Sequence, residues 1–239
     1  MSAVPSPVDN TGTMQVDEFR RRGVEAAAGG SADAIYHMFQ RALRELDLRG
    51  DALDYGSGKG SLAAHMLSTG RFTSVTAVDI LEKPAGLAEG LQWISADLNH
   101  PLSSVTDQSM DVIVSSEVIE HLENPRATVR DWFRILRPGG TLLFSTPNNE
   151  SWRAILALIV QGHFVLFGEG SYPAHITALV RKDMERIAVE AGFRKPVFRY
   201  SNSGGLPKIP GITWQKITMR MLKGLRFSDN IMAVVKKPG

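Results

Sequence analysis

Leu53-Asp54-Tyr55-Gly56-Ser57-Gly58-Lys59-Gly60-Ser61 reads as a strand that turns directly into a helix. The glycines let the backbone take up positive φ and approach a ligand closely, and the helix N-terminus beyond them offers unpaired N–H groups. The stretch therefore predicts a site of nucleotide type. It is not a Walker A loop, because Gly60 stands where Ser or Thr must follow Lys59. The third glycine of G-x-G-x-x-G is also missing, its place being taken by Ser61.

Outward from this turn, short apolar runs at 52–55, 75–78, 93–96, 112–115 and 141–145 have the character of strands. Helical patterns lie between several of them, at 61–67 and at 126–136, the second ended by Arg137-Pro138-Gly139-Gly140. Upstream, Ile35, Met38, Phe39, Ala42, Leu43 and Leu46 follow the spacing of an amphipathic helix that stops near Arg49-Gly50. Downstream, a helix over 181–191 ends at Gly192 and is followed by strand-like 196–200 and 231–235. This alternation predicts an α/β, doubly wound fold with a parallel sheet covered on both faces. Residues 1–30, rich in Pro, Gly, Ser and Ala, read as a flexible N-terminal arm before a domain over 31–239.

The composition agrees with one domain: 239 residues, 43% hydrophobic and 22% charged, suffice for a sizeable core. The lack of cysteine excludes a disulfide framework, a thiolate metal site and a cysteine nucleophile, so any metal must sit on His, Asp or Glu. The longest apolar run, 154–160, has seven residues, against the ~20 needed to cross a bilayer. The first residues show neither a basic start nor an apolar core, and the expectation is a cytoplasmic protein, soluble or peripheral to a membrane. Net charge is +2 but uneven: residues 1–180 hold 14 Lys/Arg against 21 Asp/Glu, and 181–239 hold 13 against 4. The basic last quarter is either a solvated surface or a patch for an anionic partner.

Four further segments line up in order with the glycine turn. Ala77-Val78-Asp79-Ile80 puts an acid at the end of the second strand, and Ser95-Ala96-Asp97-Leu98 does so at the third. Met110-Asp111-Val112-Ile113-Val114-Ser115-Ser116-Glu117 supplies the fourth, and Leu136-Arg137-Pro138-Gly139-Gly140-Thr141-Leu142 turns into the fifth. Together these resemble the class I S-adenosylmethionine-dependent methyltransferases over residues 52–147. The resemblance implies a Rossmann-like sheet, mostly parallel with an antiparallel last strand near 230–238, and an acceptor lid inserted at about 148–180. It implies that S-adenosyl-L-methionine is contacted by Asp54, Gly56, Ser57, Gly58, Asp79, Ile80, Asp97, Leu98 and Ser116. Asp79 would take the ribose hydroxyls, and Asp97 would face the adenine amino group.

On the acceptor side, Glu117, Glu120 and His121 are spaced i, i+3, i+4 and would share one face if a helical turn begins there. They are the candidate catalytic residues, with His121 the leading base. With His175 from the later Ser171-Tyr172-Pro173-Ala174-His175 segment, they are also candidate ligands for Mg²⁺, Mn²⁺ or Zn²⁺. This pattern resembles the metal site of ubiquinone-pathway O-methyltransferases and of small-RNA terminal 2′-O-methyltransferases. It also resembles metal-free small-molecule methyltransferases, in which such residues shape the pocket or take a proton; these two readings and a purely structural one stay open. His163, in an apolar setting, reads as a packing or surface residue.

The lid is apolar, with Trp152, Ile155, Leu156, Leu158, Ile159 and Val160 followed by Phe164-Val165-Leu166-Phe167. It reads as a cover over the pocket, as a membrane contact that admits a lipid-linked acceptor, or as an oligomer contact. The function expected is O-methylation of a small-molecule or glycan/lipid-linked acceptor. An RNA 2′-hydroxyl, an amine, a nucleotide-dependent oxidoreductase and a catalytically dead cofactor-binding partner are the alternatives. No RNA-binding module is visible.

Overall fold

Seven strands form one twisted sheet in the order β3-β2-β1-β4-β5-β9-β6. They are β1 (Gly50–Tyr55), β2 (Phe72–Asp79), β3 (Gln92–Ser95), β4 (Met110–Ser115), β5 (Leu136–Pro147), β6 (Val197–Tyr200) and β9 (Asn230–Lys236). The structure is a computed structural model and describes residues 33–239; the arm expected over 1–30 lies outside them. Pairing is parallel from β3 through β5, while β9 runs antiparallel to both β5 and β6. The expected antiparallel last strand is therefore present, inserted between its neighbours rather than at the edge.

Successive residues of β4 show why the sheet must be covered twice. Val112 and Val114 enter one core with α1 (Asp33–Glu45) and α2 (Ser61–Ser68), whereas Ile113 enters the other with α3 (Pro125–Ile135) and α5 (Arg181–Ala191). In the first core, Ile35, Met38, Phe39, Ala42 and Leu43 form the buried stripe of α1. In the second, Trp132 meets Tyr55 edge to face at 5.2 Å, and the Tyr55 hydroxyl donates to the Leu98 carbonyl at 2.8 Å. The helices start and stop where local chemistry dictates. Asn124 accepts from the Ala127 amide ahead of Pro125 in α3, and Gly192 ends α5 at φ 107°.

At the foot of the sheet, Arg137 joins Asp51 at 2.9 Å and Asp111 at 2.5 Å, tying the starts of β1, β4 and β5 together. Two excursions leave the opposite end. One, between β5 and α5, holds α4 (Trp152–Gln161), capped by Ser151 and closed at Gly162 with φ 79°. The other, between β6 and β9, holds the hairpin of β7 (Gly205–Leu206) and β8 (Ile209–Thr213), then the single turn α6 (Trp214–Ile217). That second excursion is not visible in the hydropathy pattern.

Candidate active site

The glycine turn is built from beneath by Asp54. Its carboxylate is buried and accepts from the Ser57 hydroxyl at 2.7 Å and the Ala63 amide at 3.1 Å, clamping the loop to the first turn of α2. Burial pushes its pKa up to about 6 against the pull of those two donors. Gly56 and Gly58 have φ of 76° and 55°. At Gly56 a Cβ would lie 2.3 Å from Val118 Cγ2, so that position is closed to any side chain. The Gly56 and Ser57 amides both reach the Val78 carbonyl, at 2.8 and 3.0 Å, which presses the loop against the tip of β2. Gly60, the residue before α2, has φ 79° and provides no side-chain cap.

Asp79, at that tip, receives the Gly58 amide at 2.7 Å and the Leu81 amide at 3.0 Å. Its carboxylate is thus fixed beside the turn. Ile80 follows it and is partly exposed. After β3, Asp97 accepts from the Asn99 amide at 2.9 Å, and His100 Nε2 stands 3.6 Å from its other oxygen. Leu98 is buried in the second core, and Ser116 follows β4 at the same sheet edge. The turn, the two strand-end acids and the β4 terminus thus share the carboxyl end of the parallel strands, where open α/β sheets take their ligands.

Glu120 and His121 come from a short 3₁₀ turn, Ile119–His121, directly after β4. The helical face expected for 117–121 does not form, because Glu117 precedes the turn with φ 55°. This left-handed corner sends Glu117 to different partners. Its carboxylate accepts from Ser145 Oγ at 2.7 Å and from Asn230 Nδ2 at 2.7 Å, and burial pushes its pKa up to about 7. Ser145 on β5 and Asn230 on β9 had no signal in the sequence; only strand pairing brings them here.

His175 joins Glu120 and His121 through the backbone. The Glu120 carbonyl accepts the Ile176 and Thr177 amides at 3.0 and 2.9 Å, and Thr177 Oγ1 donates to the Leu122 carbonyl at 2.9 Å. One oxygen of Glu120 and one nitrogen from each imidazole then lie within 4.8 Å of one another. Among the described residues this is the cluster with the geometry to hold a metal ion. Glu117 stands outside it, so the expected four-residue set reduces to three neighbours with Glu117 alongside.

Both Glu120 oxygens are buried and meet no donor in good hydrogen-bond geometry; the Thr146 hydroxyl, itself buried and unpartnered, is near enough only to offset slightly the cost of the charge. Burial, reinforced by the charge of Glu117, raises its pKa well above the usual carboxylate range. His121 Nδ1 lies 2.7 Å from the Ala174 carbonyl, and His175 Nδ1 lies 2.7 Å from the Leu166 carbonyl. Carbonyl oxygen only accepts, so in each neutral ring Nδ1 holds the proton and Nε2 keeps a lone pair. Burial lowers both imidazole pKa values, favouring that neutral form.

The excursion after β5 divides into two parts. Phe164 packs on Phe167 at 6.4 Å between centroids, and Phe167 on His175 at 5.4 Å, so this aromatic pair is turned toward the cluster. Trp152, Leu156, Leu158, Ile159 and Val160 of α4 are exposed. His163, expected as a packing or surface residue, is half-buried within the loop against Gly168.

A methyltransferase domain family matches residues 27–195, well over half of the chain. The protein belongs to the class I S-adenosylmethionine-dependent methyltransferases. This removes the oxidoreductase alternative. The methyltransferase is 30% identical over 122 residues to the ubiquinone biosynthesis O-methyltransferase of Pseudomonas fluorescens, a match covering 48% of this chain and 51% of that protein. Its likeness to the ubiquinone biosynthesis O-methyltransferase of Maricaulis maris is 28% over 198 residues, covering 78% and 71%. The methyltransferase thus spans about half the length of the Pseudomonas relatives it matches. In fold it is similar to an S-adenosylmethionine-dependent methyltransferase from Archaeoglobus fulgidus, with a TM-score of 0.62 at 18% identity over 96% of this chain and 100% of that one. It is similar also to the methyltransferase in a complex with the Haloferax volcanii Trm112 methyltransferase activator, with a TM-score of 0.65 at 18% identity over 93% and 98%. No helix among the described residues is long and apolar enough to cross a membrane.

Proposed function

We propose that this methyltransferase methylates a hydroxyl of a small-molecule acceptor, free or carried on a lipid or glycan, with a divalent cation (Mg²⁺, Mn²⁺ or Zn²⁺) held by Glu120, His121 and His175. The observation that carries the reading is Glu120. A fully buried carboxylate with both oxygens unpartnered is costly, and two imidazole nitrogens stand beside it where a cation would complete the set. Imidazole with carboxylate is a donor set that accepts these ions. The distant likeness to ubiquinone biosynthesis O-methyltransferases supports an oxygen acceptor.

When bound, S-adenosyl-L-methionine supplies a sulfonium methyl that is electrophilic without further activation. A cation at the cluster would supply the positive charge that loosens a hydroxyl proton at neutral pH. What remains for the chain is binding, alignment and exclusion of water. Gly56 and Gly58 let the backbone approach the donor, and Asp79 offers its carboxylate to the ribose, with Ile80, Asp97 and Leu98 at the adenine end. The Phe164–Phe167 pair shields the acceptor side. Glu117, held by Ser145 and Asn230 and titrating near neutrality, is the group we assign to take the hydroxyl proton.

The test is methyl transfer from labelled donor to three acceptors: an aromatic diol, a primary amine and a short RNA. Transfer to the diol oxygen is expected, lost on chelation and restored by Mg²⁺ or Mn²⁺. Transfer that ignores the chelator, or that goes to the amine or RNA alone, overturns the proposal.

A further inference from the structure

The excursion between β6 and β9 takes no part in the chemistry above, yet its tip is shaped and exposed. Met219 and Met221, 86% and 79% exposed, are the two most exposed large apolar side chains among the described residues, and Ile217 beside them is 55% exposed. This is not a loose trailing loop. Gln215 Nε2 donates to the Leu222 and Phe227 carbonyls at 2.9 and 2.8 Å, and the Gly224 amide donates to Asn202 Oδ1 at 2.9 Å. Met219 and Arg220 form a left-handed corner at φ 47° and 64°. The excursion is tied to the start of α4, where Arg226 covers the Trp152 ring at 5.2 Å and donates to the Glu150 carbonyl at 2.7 Å.

Charge is the second observation. Residues 203–228 carry five basic side chains, Lys208, Lys216, Arg220, Lys223 and Arg226, and no acidic one. Four of these, Lys208, Lys216, Arg220 and Lys223, are exposed, and the last three interleave with the apolar tip. A partner that takes both kinds of group together is apolar within and anionic at its face. Single-stranded nucleic acid fits less well, because it needs open aromatic platforms, and here Trp214 is turned onto Phe227 at 5.5 Å.

We propose that this excursion docks the enzyme on an anionic phospholipid surface. Ile217, Met219 and Met221 enter the headgroup boundary, while Lys216, Arg220 and Lys223 meet the phosphates. The element that touches the membrane is then the β6–β9 excursion, leaving the aromatic half of the first excursion to the active site.

Co-sedimentation with phosphatidylglycerol–phosphatidylcholine vesicles, compared with pure phosphatidylcholine, reads this without any methyl transfer, so its failure and that of the acceptor assignment are separable. Binding to the anionic vesicles alone is expected, weakening as salt rises. The K216Q/R220Q/K223Q variant should bind about a hundredfold more weakly, each base contributing a factor of about five near an anionic surface. M219N/M221S should bind about tenfold more weakly, Asn being chosen at 219 because it tolerates the left-handed corner. Both variants should keep wild-type circular dichroism and S-adenosylhomocysteine binding. Absence of wild-type sedimentation, or wild-type binding by both variants, overturns the proposal. So does a wild-type dimer in ultracentrifugation that M219N/M221S dissociates, since the face is then a contact between copies of the chain.

Discussion

His121 and His175 meet edge to face, their ring centroids 4.8 Å apart and their planes inclined at 69°. Neither ring is free to turn, because each Nδ1 is held by a main-chain carbonyl. One nitrogen of each ring and one oxygen of the buried Glu120 carboxylate lie within 4.8 Å of one another, the spacing that the proposed cation needs. His175→Ala should weaken Mn²⁺ binding by more than the ~10–100-fold that follows loss of a merely orienting group. S-adenosylhomocysteine affinity should be unchanged. Calorimetry measures both, and Mn²⁺ binding at wild-type strength would remove His175 from the ligand set.

Glu120 sets stability against function. Its carboxylate is buried without a partner, so ionisation in the ion-free protein costs folding energy. Glu120→Gln keeps the shape and discards the charge. Without metal the variant should be more stable at neutral pH, because no charge has to be desolvated or neutralised on folding while the amide stays as unpartnered as the carboxyl was, and it should lose Mn²⁺ binding. A lower melting temperature, measured by calorimetry without metal, would contradict the account of the site.

Gly56 tests the turn. Alanine there meets Val118 at 2.3 and 2.9 Å and must also hold φ 76°. Gly56→Ala should cost ~1–3 kcal/mol in urea unfolding and reduce donor binding. Adding Val118→Ala removes the clash but not the backbone strain, so rescue should be partial; complete rescue would show that positive φ matters little here.

Asp79→Asn should weaken donor binding by ~1.5–3 kcal/mol, the range for a hydrogen bond to a charged group. The amide can no longer offer two carboxylate oxygens to the Gly58 and Leu81 amides and to a ribose at once. Calorimetry with S-adenosylhomocysteine measures the loss, and an affinity within twofold of wild type (~0.4 kcal/mol) would mean that the ribose lies elsewhere.

Asp54 carries a pH dependence whose sign follows from its burial. The folded-state pKa, about 6, lies above the ordinary 3.8. The fold therefore favours the protonated acid, and the contribution is complete below 3.8 and lost as pH rises through about 6. The loss amounts to ~3 kcal/mol. Asp54→Asn should flatten this slope, so the difference in stability between wild type and variant should change across that window. A constant difference in urea unfolding would show that Asp54 does not titrate there.

The glycine turn and the strand-end acids that we assign to the donor were legible in the chain because their determinants are local. A strand, three spaced glycines and a following helix occupy one short segment, and an acid at the end of each next strand needs only the period-two pattern to be located. The acceptor side was legible in composition but not in geometry. The i, i+3, i+4 spacing suggested one helical face for Glu117, Glu120 and His121, whereas Glu117 stands at a left-handed corner ahead of the 3₁₀ turn that carries Glu120 and His121. The hairpin and helical turn of the β6–β9 excursion were not legible because its strands are two and five residues long and carry no periodicity.

What the amino-acid order determined by itself was the doubly wound sheet, the glycine turn and the identity of the groups able to do chemistry, since these depend on neighbours within a few residues. Only the tertiary structure decided which of those groups meet. Strand pairing laid Ser145 and Asn230 against Glu117, and two backbone hydrogen bonds to the Glu120 carbonyl drew His175 to His121. Contacts of this kind are closed by folding long loops onto a rigid sheet edge, and their energy depends on a geometry that no local pattern encodes.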